Sequence, residues 1–356
     1  MSVAFKVAEN KNMKIFKSED YNYSFSKNSG MFMRWGKTLE EDPTMCKFGP
    51  EIADIEISTI CNGPFGTPCP WCYKSNTGKG ENMSLRLFEE CIETINSNNT
   101  LTQIALGIGD INANPDLWAI MEYCRNNGII PNITINGKAT EEEFDKLASL
   151  CGAVAVSNYG DDICFNAVKA LTDRGLKQVN IHQILADETL EDCMALIDKR
   201  KTDPRLEKLN AIVFLTLKPK GNRNTMHKLS NKEKYKMLMA KCEEGGVGVG
   251  FDSCGALPYF EYSKGTKNEA AAKLFAEPCE STLFSIYINT KGFSFPCSFT
   301  EGLNDYPGVF VPAAEAVEDV WYNPQFKLFR ERLLNTECGN EFKCRTCPHF
   351  DIYPTK

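Results

Sequence analysis

The stretch that decides the fold is Thr59-Ile60-Cys61-Asn62-Gly63-Pro64-Phe65-Gly66-Thr67-Pro68-Cys69-Pro70-Trp71-Cys72-Tyr73. It places three cysteines in one loop, directly after an apolar, β-branched run at residues 52–59 that predicts a strand. A C-x2-C pair lets two thiolates reach one metal centre from a single tight turn. Cys69 and Cys72 therefore indicate a metal site, with Cys61 as a third ligand.

Two kinds of metal site are consistent with this loop. A structural zinc site needs four ligands, and the loop offers three cysteines. Three thiolates and an open position instead suit a four-iron cluster with one iron free for an outside ligand. Zinc remains the alternative, although all three histidines of the chain are about a hundred residues or more from Cys72: His182, His227 and His349.

The segment after residue 52 alternates short apolar runs with longer amphipathic stretches, which predicts a parallel sheet with helices outside it. A doubly wound sheet and a partial (β/α) barrel both fit, and in either fold chemistry collects at the C-terminal ends of the strands. The three cysteines follow the first strand and so lie at that end. The predicted strands are 52–59, 103–108, 132–135, 153–156, 178–184 and 211–217, and the predicted helices between them are 84–96, 115–127, 140–150, 161–174 and 189–201.

Composition limits the classes of protein to consider. The 356 residues are 42% hydrophobic and 24% charged, which is ordinary for a globular protein. No apolar run approaches the ~20 residues of a membrane span, and the net charge of −7 argues against broad binding of nucleic acid. The charged N-terminus lacks an apolar core, so we expect no secretory signal, a cytoplasmic location and 16 reduced cysteines.

Changes in residue composition and sequence pattern along the chain predict three parts. We expect residues 1–50 to be an irregular extension that packs on the main domain, and residues 51–260 to form the βα domain. Residues 261–356 have short strands, Gly-Pro turns and a second group of cysteines, which predicts a small second domain. That second group consists of Cys279, Cys297, Cys338, Cys344 and Cys347.

A strand, three cysteines ending Cys-Pro-Trp-Cys-Tyr and a βα series together resemble the radical S-adenosylmethionine (radical SAM) enzymes. The resemblance implies a partial (β/α)6 TIM-type barrel of the α/β class. It also implies a catalytic [4Fe-4S] cluster on Cys61, Cys69 and Cys72, with S-adenosylmethionine on the free iron, and Tyr73 as the usual following aromatic. The family commonly has three residues between the first two cysteines, whereas this chain has seven; we expect the glycines and prolines there to let the loop bulge.

Later strand ends resemble the parts of the family that bind S-adenosylmethionine. Gly107-Ile108-Gly109-Asp110 stands where the family has Gly-Gly-Glu, so its glycines would allow close backbone approach and Asp110 would replace the glutamate. Ser157, at the end of the fourth strand, is the candidate for the cofactor carboxylate. Asn180 and His182 alternate onto one face of the fifth strand and are candidates for the ribose or carboxylate. For His182, a core histidine with a local hydrogen bond is the alternative.

The C-terminal cysteines resemble those of SPASM and twitch domains, which carry auxiliary iron–sulfur clusters. Cys279 is followed by twelve residues, Gly292, four residues and Cys297, as in the opening of those domains. A full SPASM domain has a further cysteine where this chain has Tyr353, so the resemblance implies the shorter, twitch-like α+β form. The implied ligands are Cys279, Cys297, Cys344 and Cys347, with Cys254 and Cys338 in reserve, and a zinc ribbon on the same four thiolates is the alternative.

The activity implied by this resemblance is reductive cleavage of S-adenosylmethionine to a 5′-deoxyadenosyl radical, which abstracts a hydrogen atom from the substrate. It implies a one-electron reductant such as flavodoxin or ferredoxin, and no membrane or nucleic-acid partner. We expect a peptide or protein substrate, because these auxiliary domains are common in peptide-modifying enzymes. Radical dehydrogenation of a small sugar or alcohol, or a zinc-stabilised binding protein without catalysis, are the alternatives. A basic segment at residues 199–228 predicts either an anion site or a solvated surface.

Overall fold

The computed structural model describes residues 4–335 and 345–354. They contain a four-stranded antiparallel sheet near the N-terminus and a ten-stranded sheet that runs through the rest of the chain. Among these residues, no helix combines the length and the apolarity needed to cross a bilayer.

The larger sheet contains the six predicted parallel strands, each followed by a helix, so the expected partial (β/α)6 barrel is confirmed. A seventh short parallel strand follows the sixth helix. The strands are β5 (Ile52–Glu56), β6 (Gln103–Gly107), β7 (Ile130–Ile135), β8 (Ala153–Ser157), β9 (Gln178–Leu185), β10 (Ala211–Thr216) and β11 (Val249–Phe251). The helices are α1 (Leu85–Ile95), α2 (Leu117–Asn126), α3 (Glu141–Leu150), α4 (Asp161–Asp173), α5 (Leu190–Thr202) and α6 (Lys232–Gly245).

Local sequence signals explain where several of these helices begin and end. The Thr140 hydroxyl accepts from the Glu143 backbone N–H, and the Glu143 carboxylate accepts from the Thr140 N–H, which is a complete capping box at the start of α3. Ser84 caps α1 in a similar way by accepting from the Leu87 N–H. Helix α2 is followed by Gly128 with a φ of +74°, a conformation that favours glycine.

Residues 6–35 of the N-terminal extension form a regular sheet, so the expectation of an irregular segment was wrong for this part. Alternation of aromatic and polar residues, as in Tyr21-Asn22-Tyr23-Ser24-Phe25, buries one face of this meander. It packs on the main domain, as expected, at the end of the barrel opposite the cysteine loop: the Tyr23 hydroxyl donates to Thr100 O (2.8 Å) and the Lys14 ammonium to Leu101 O (2.6 Å), just before β6. The strands are β1 (Lys6–Glu9), β2 (Met13–Lys17), β3 (Asn22–Ser26) and β4 (Phe32–Trp35).

The C-terminal strands extend the barrel sheet on its other side. β12 pairs in parallel with β5, with Tyr287 opposite Asp54, and an antiparallel ladder continues outward from it. The domain boundaries at residues 50 and 260 remain a prediction. The elements of this segment are α7 (Ala256–Ser263), α8 (Glu269–Phe275), β12 (Ser285–Ile288), β13 (Phe293–Phe295), β14 (Val309–Phe310), α9 (Val317–Trp321) and α10 (Pro324–Leu334).

Candidate active site

A cavity of about 830 Å³ lies at the C-terminal ends of the barrel strands. The cysteine loop forms one wall, and residues from the ends of β7 to β10 form the other. It therefore lies where a parallel βα fold places its chemistry. Seven of the residues proposed from the sequence line this cavity: Cys61, Cys69, Cys72, Tyr73, Gly109, Ser157 and His182.

The cysteine loop is folded by its own backbone. The Cys61 N–H donates to Thr77 O (2.9 Å), the Cys72 N–H donates to Cys69 O (3.2 Å), and the Gly63 N–H points at the Cys61 sulfur (3.3 Å). Gly63 and Gly66 have φ angles of +68° and +79°. The long insert thus closes through two left-handed glycines, as we expected from its composition.

Neighbouring segments hold the loop from outside. The Lys138 ammonium donates to Pro64 O. Behind the loop, Arg223 donates to the carbonyl oxygens of Ser75 (3.3 Å) and Asn76 (2.9 Å). Gly221 packs so closely that a Cβ there would lie 2.3 Å from Cys72 O.

The basic segment after β10 supports this loop. Its Lys218 is buried against Asp252, and Lys220 donates to the carbonyl oxygens of Phe299 (3.0 Å) and Glu301 (2.8 Å). These cations are occupied by protein groups. This part of the segment is therefore not a solvated surface, and the anion site stays a prediction.

The three thiols of the loop influence one another electrostatically. Burial raises the pKa of Cys61 and of Cys69, and the charge of Cys72 raises both further. A hydrogen bond from the Tyr159 hydroxyl opposes the rise in the pKa of Cys69. Tyr159 itself stacks on Trp71 with ring centroids 6.3 Å apart. A bound cation would relieve the repulsion among the three thiolates.

Thiolates of this kind are the usual ligands of iron–sulfur clusters, so the donor set fits such a group. No three His, Cys, Asp or Glu side chains in the described ranges are grouped tightly enough to hold a single metal ion. A four-iron cluster takes each thiolate on a different iron atom, and so does not need three sulfur atoms to meet at one point.

The strand ends opposite the loop carry polar, uncharged side chains, although Asp161, Glu188, Asp192 and Lys199 also line the cavity. The His182 Nδ1 lies 3.4 Å from the Thr134 hydroxyl, and burial lowers the pKa of His182 to about 4, so the ring is neutral near pH 7. Ser157 lies beside His182 in the β8–β9 register. Gly109 completes the approach to the loop, because a Cβ there would lie 2.5 Å from the Cys61 sulfur.

Three of the residues proposed to bind S-adenosylmethionine do not line this cavity. The Asp110 carboxylate accepts from the Asn112 N–H (3.0 Å) in its own turn, and Gly107 packs on the backbone of Glu56. Asn180 accepts from the Asn210 amide (2.8 Å). It shares a face with His182, but two residues along a strand span roughly 7 Å, which moves Asn180 towards the N-terminal end of the barrel.

Tyr159 was not predicted from the sequence as a site residue. It follows Ser157 in the same strand-end segment, where only the serine was considered as a ligand. The sequence feature that could have indicated Tyr159 is an aromatic residue with a hydroxyl group in that same segment.

The second group of cysteines is also assembled. Cys279 and Cys347 both raise the pKa of Cys297, although burial is the larger cause, and Cys254 lies near enough to feel the charges of Cys279 and Cys297. The Cys347 N–H donates to the Tyr353 hydroxyl (3.2 Å). The reserve residue Cys254 thus lies beside the implied ligands. Two further cysteines of this group lie outside the described residues: Cys338 and Cys344.

Comparison with known proteins gives structural matches alone, because no family model and no curated protein matches the chain. SuiB from Streptococcus suis bound to the precursor peptide SuiA matches with a TM-score of 0.69 at 12% identity, over 91% of this chain and 90% of that one. A further structure of Streptococcus suis SuiB gives 0.65 at 13% identity, over 93% and 90%. SuiB bound to S-adenosylmethionine gives 0.61 at 14% identity, over 79% and 68%. The chain therefore shares the fold of the SuiB structures, and the fold expected from its cysteine motif is confirmed.

Proposed function

We propose that this chain is a radical SAM enzyme whose catalytic [4Fe-4S] cluster is held by Cys61, Cys69 and Cys72. One observation carries the proposal. The three thiols of a single loop lie on one wall of an 830 Å³ cavity, and polar strand ends form the other wall. An open iron at the loop would face that second wall, where a cofactor and a substrate can be held side by side.

Each wall has its own task in this proposal. When bound, the cluster and S-adenosylmethionine supply a 5′-deoxyadenosyl radical that takes a hydrogen atom from the substrate. Ser157 and the neutral His182 offer hydrogen bonds to the cofactor without adding charge. Gly109 permits close backbone approach, and Tyr159 donates a hydrogen bond to the Cys69 sulfur. Hydrogen bonds to cluster sulfurs are one means by which a protein adjusts reduction potential.

The second cysteine group supports an auxiliary iron–sulfur cluster. Cys279, Cys297 and Cys347 influence one another electrostatically, and Cys344 would complete the implied set from outside the described residues. A ferredoxin or flavodoxin would supply the electron for the first cluster. SuiB has been solved with a precursor peptide, so we propose a peptide substrate for this chain.

The test begins with anaerobic reconstitution using iron and sulfide. We expect a brown protein with about eight irons per chain, corresponding to two four-iron clusters. With dithionite and S-adenosylmethionine it should produce 5′-deoxyadenosine. Cys69→Ala and Cys72→Ala should abolish that product and lower the iron content by about half.

Cys242→Ala is the matched control, because Cys242 is buried in α6 away from both cysteine groups. It should keep the iron content and the production of 5′-deoxyadenosine. Colourless wild-type protein containing zinc would overturn the proposal and favour the non-catalytic alternative. Unchanged 5′-deoxyadenosine production by Cys69→Ala would show that the cluster is held elsewhere.

A further inference from the structure

The inner face of the barrel carries a carboxylate, Asp54, in the middle of β5. Its neighbours Ala53 and Ile55 are fully buried against the helices, so alternation turns Asp54 inward. It is in register with Ala105 of β6 on one side and Tyr287 of β12 on the other. Asp54 and Ala105 are both accessible to solvent, although β5 and β6 lie in the middle of the sheet. Open space therefore adjoins these two residues inside the barrel.

Two other ionisable groups on this inner face differ from Asp54, because one has a partner and the other is neutral. Glu56, one step nearer the cysteine loop, lies 3.0 Å from the Lys74 ammonium and accepts from the Tyr287 hydroxyl (2.9 Å). His182 is neutral near pH 7 because burial lowers its pKa. Asp54 has no side-chain hydrogen bond or ion pair with any residue in 4–335 or 345–354.

Asp54 carries its charge inside the barrel without a protein counterion. Enclosure by protein raises its pKa to about 6, and the charge of Glu280 raises it further. The carboxylate is therefore mostly ionised near pH 7, with no cation to balance it. Asp54 is accessible to water inside the barrel, and a cation that enters there can balance its charge through charge-assisted hydrogen bonds.

The position of Asp54 connects it to the candidate active site. Its charge raises the pKa of Tyr73, although burial is the main cause of that rise. Tyr73 also lines the 830 Å³ cavity, so Asp54 lies next to the cavity wall. Small neighbours, Ala105 and Gly107, leave room beside the carboxylate.

We propose that Asp54 binds a cationic group of the substrate, an amine or a guanidinium, inside the barrel. The idea that this ligand is the substrate rests on the proposed radical SAM function. A lysine or arginine side chain of a peptide and a free small amine share the same chemistry. They are separated by the test below.

The first arm measures thermal stability against pH for anaerobically reconstituted protein and Asp54→Asn. The pKa of Asp54 is higher in the folded protein than in the unfolded chain, so ionised Asp54 destabilises the fold above about pH 6. This destabilisation decreases as the pH falls towards the pKa of Asp54 in the unfolded chain. Asp54→Asn should melt higher than wild type at pH 8, with the difference shrinking by pH 5. Other titratable groups near Asp54 also contribute to the pH dependence of the melting temperature in both proteins. They are Glu280, Tyr73, Tyr287 and the Glu56–Lys74 pair. Asp305→Asn, at an exposed ion pair, should show no such gain.

The second arm adds cations at pH 8 and constant ionic strength. N-butylammonium, or an acetylated Gly-Lys-Gly amide peptide, should raise the melting temperature of wild type more than that of Asp54→Asn. The same peptide with norleucine in place of lysine should not. A larger effect of the lysine peptide would indicate a peptide substrate, and equal effects would indicate a small amine.

Equal responses of wild type and Asp54→Asn to every cation would overturn the proposal, as would a lower melting temperature for Asp54→Asn at pH 8. Iron content is measured on the same samples. A protein that takes up no iron but still binds cations through Asp54 would refute the radical SAM function alone, whereas full iron content without cation selectivity would refute the role of Asp54 alone.

Discussion

Lys74 is the residue whose loss should most disturb the junction between the cysteine loop and the C-terminal segment. It follows Cys72 by two positions, and its ammonium contacts Glu56 of β5 (3.0 Å), Glu301 and the Tyr287 hydroxyl (2.7 Å). The side chains of Lys74, Glu56 and Glu301 are 12%, 8% and 28% exposed. One cation therefore balances two carboxylates in a largely dry site.

The substitution Lys74→Met keeps the aliphatic stem and removes the charge. Breaking a buried ion pair by deleting one partner costs about 3–5 kcal/mol, because the remaining charge is left uncompensated. We expect the free energy of unfolding to fall by that amount near pH 7.5. The loss should shrink at lower pH: without Lys74, the pKa of Glu56, already raised by burial, rises further, and protonation then relieves the penalty.

The assay is urea unfolding followed by circular dichroism, at pH 7.5 and pH 5. Lys291→Met is the matched control, because Lys291 pairs with Glu81 at 3.4 Å but the two side chains are 63% and 50% exposed. Exposed pairs contribute about 0.2–1 kcal/mol, so that variant should lose no more than this. The double variant Lys74→Met, Glu301→Gln should recover part of the loss. A loss below about 1 kcal/mol for Lys74→Met would refute the reasoning.

Two further predictions concern the cysteine loop. Gly63→Ala should lower iron uptake strongly, because a Cβ at position 63 would lie 2.2 Å from Thr67 O. Gly66→Ala is the control: Gly66 has a similar positive φ, but a Cβ there would have nothing within 4 Å, so iron uptake should fall much less. Equal iron contents in the two variants would contradict this prediction. Tyr159→Phe removes the hydrogen bond that lowers the pKa of Cys69, so less of this thiol should be ionised at pH 8.5. Iodoacetamide should therefore alkylate Cys69 more slowly in the metal-free variant, as measured by peptide mass spectrometry. An unchanged rate would show that this hydrogen bond is unimportant.

Most of the barrel was predictable, because its signals are local. Apolar runs bounded by turn residues located six strands, and the Thr140 capping box located α3. The same kind of signal was available but unused at α10, where Asn323 caps the helix and Pro324 occupies its first turn. The N-terminal sheet was missed because its strands are short and rich in polar residues.

The candidate site likewise has a part that was predictable from the sequence and a part that was not. The cysteines were found because their spacing in the chain reflects the geometry of a loop. The network around Lys74 could not be found, since its partners Tyr287 and Glu301 are 213 and 227 residues away in sequence. Asn180 was placed too near the site because alternation defines a face of a strand but not the depth along it.

The most direct test of the central claim is electron paramagnetic resonance of the first cluster alone. Cys279→Ala combined with Cys297→Ala should remove the auxiliary cluster and leave the thiols of Cys61, Cys69 and Cys72. After dithionite reduction, we predict the signal of a reduced four-iron cluster whose g values shift when S-adenosylmethionine is added. A sample that contains zinc and gives no such signal, or a signal that S-adenosylmethionine leaves unchanged, would contradict the account.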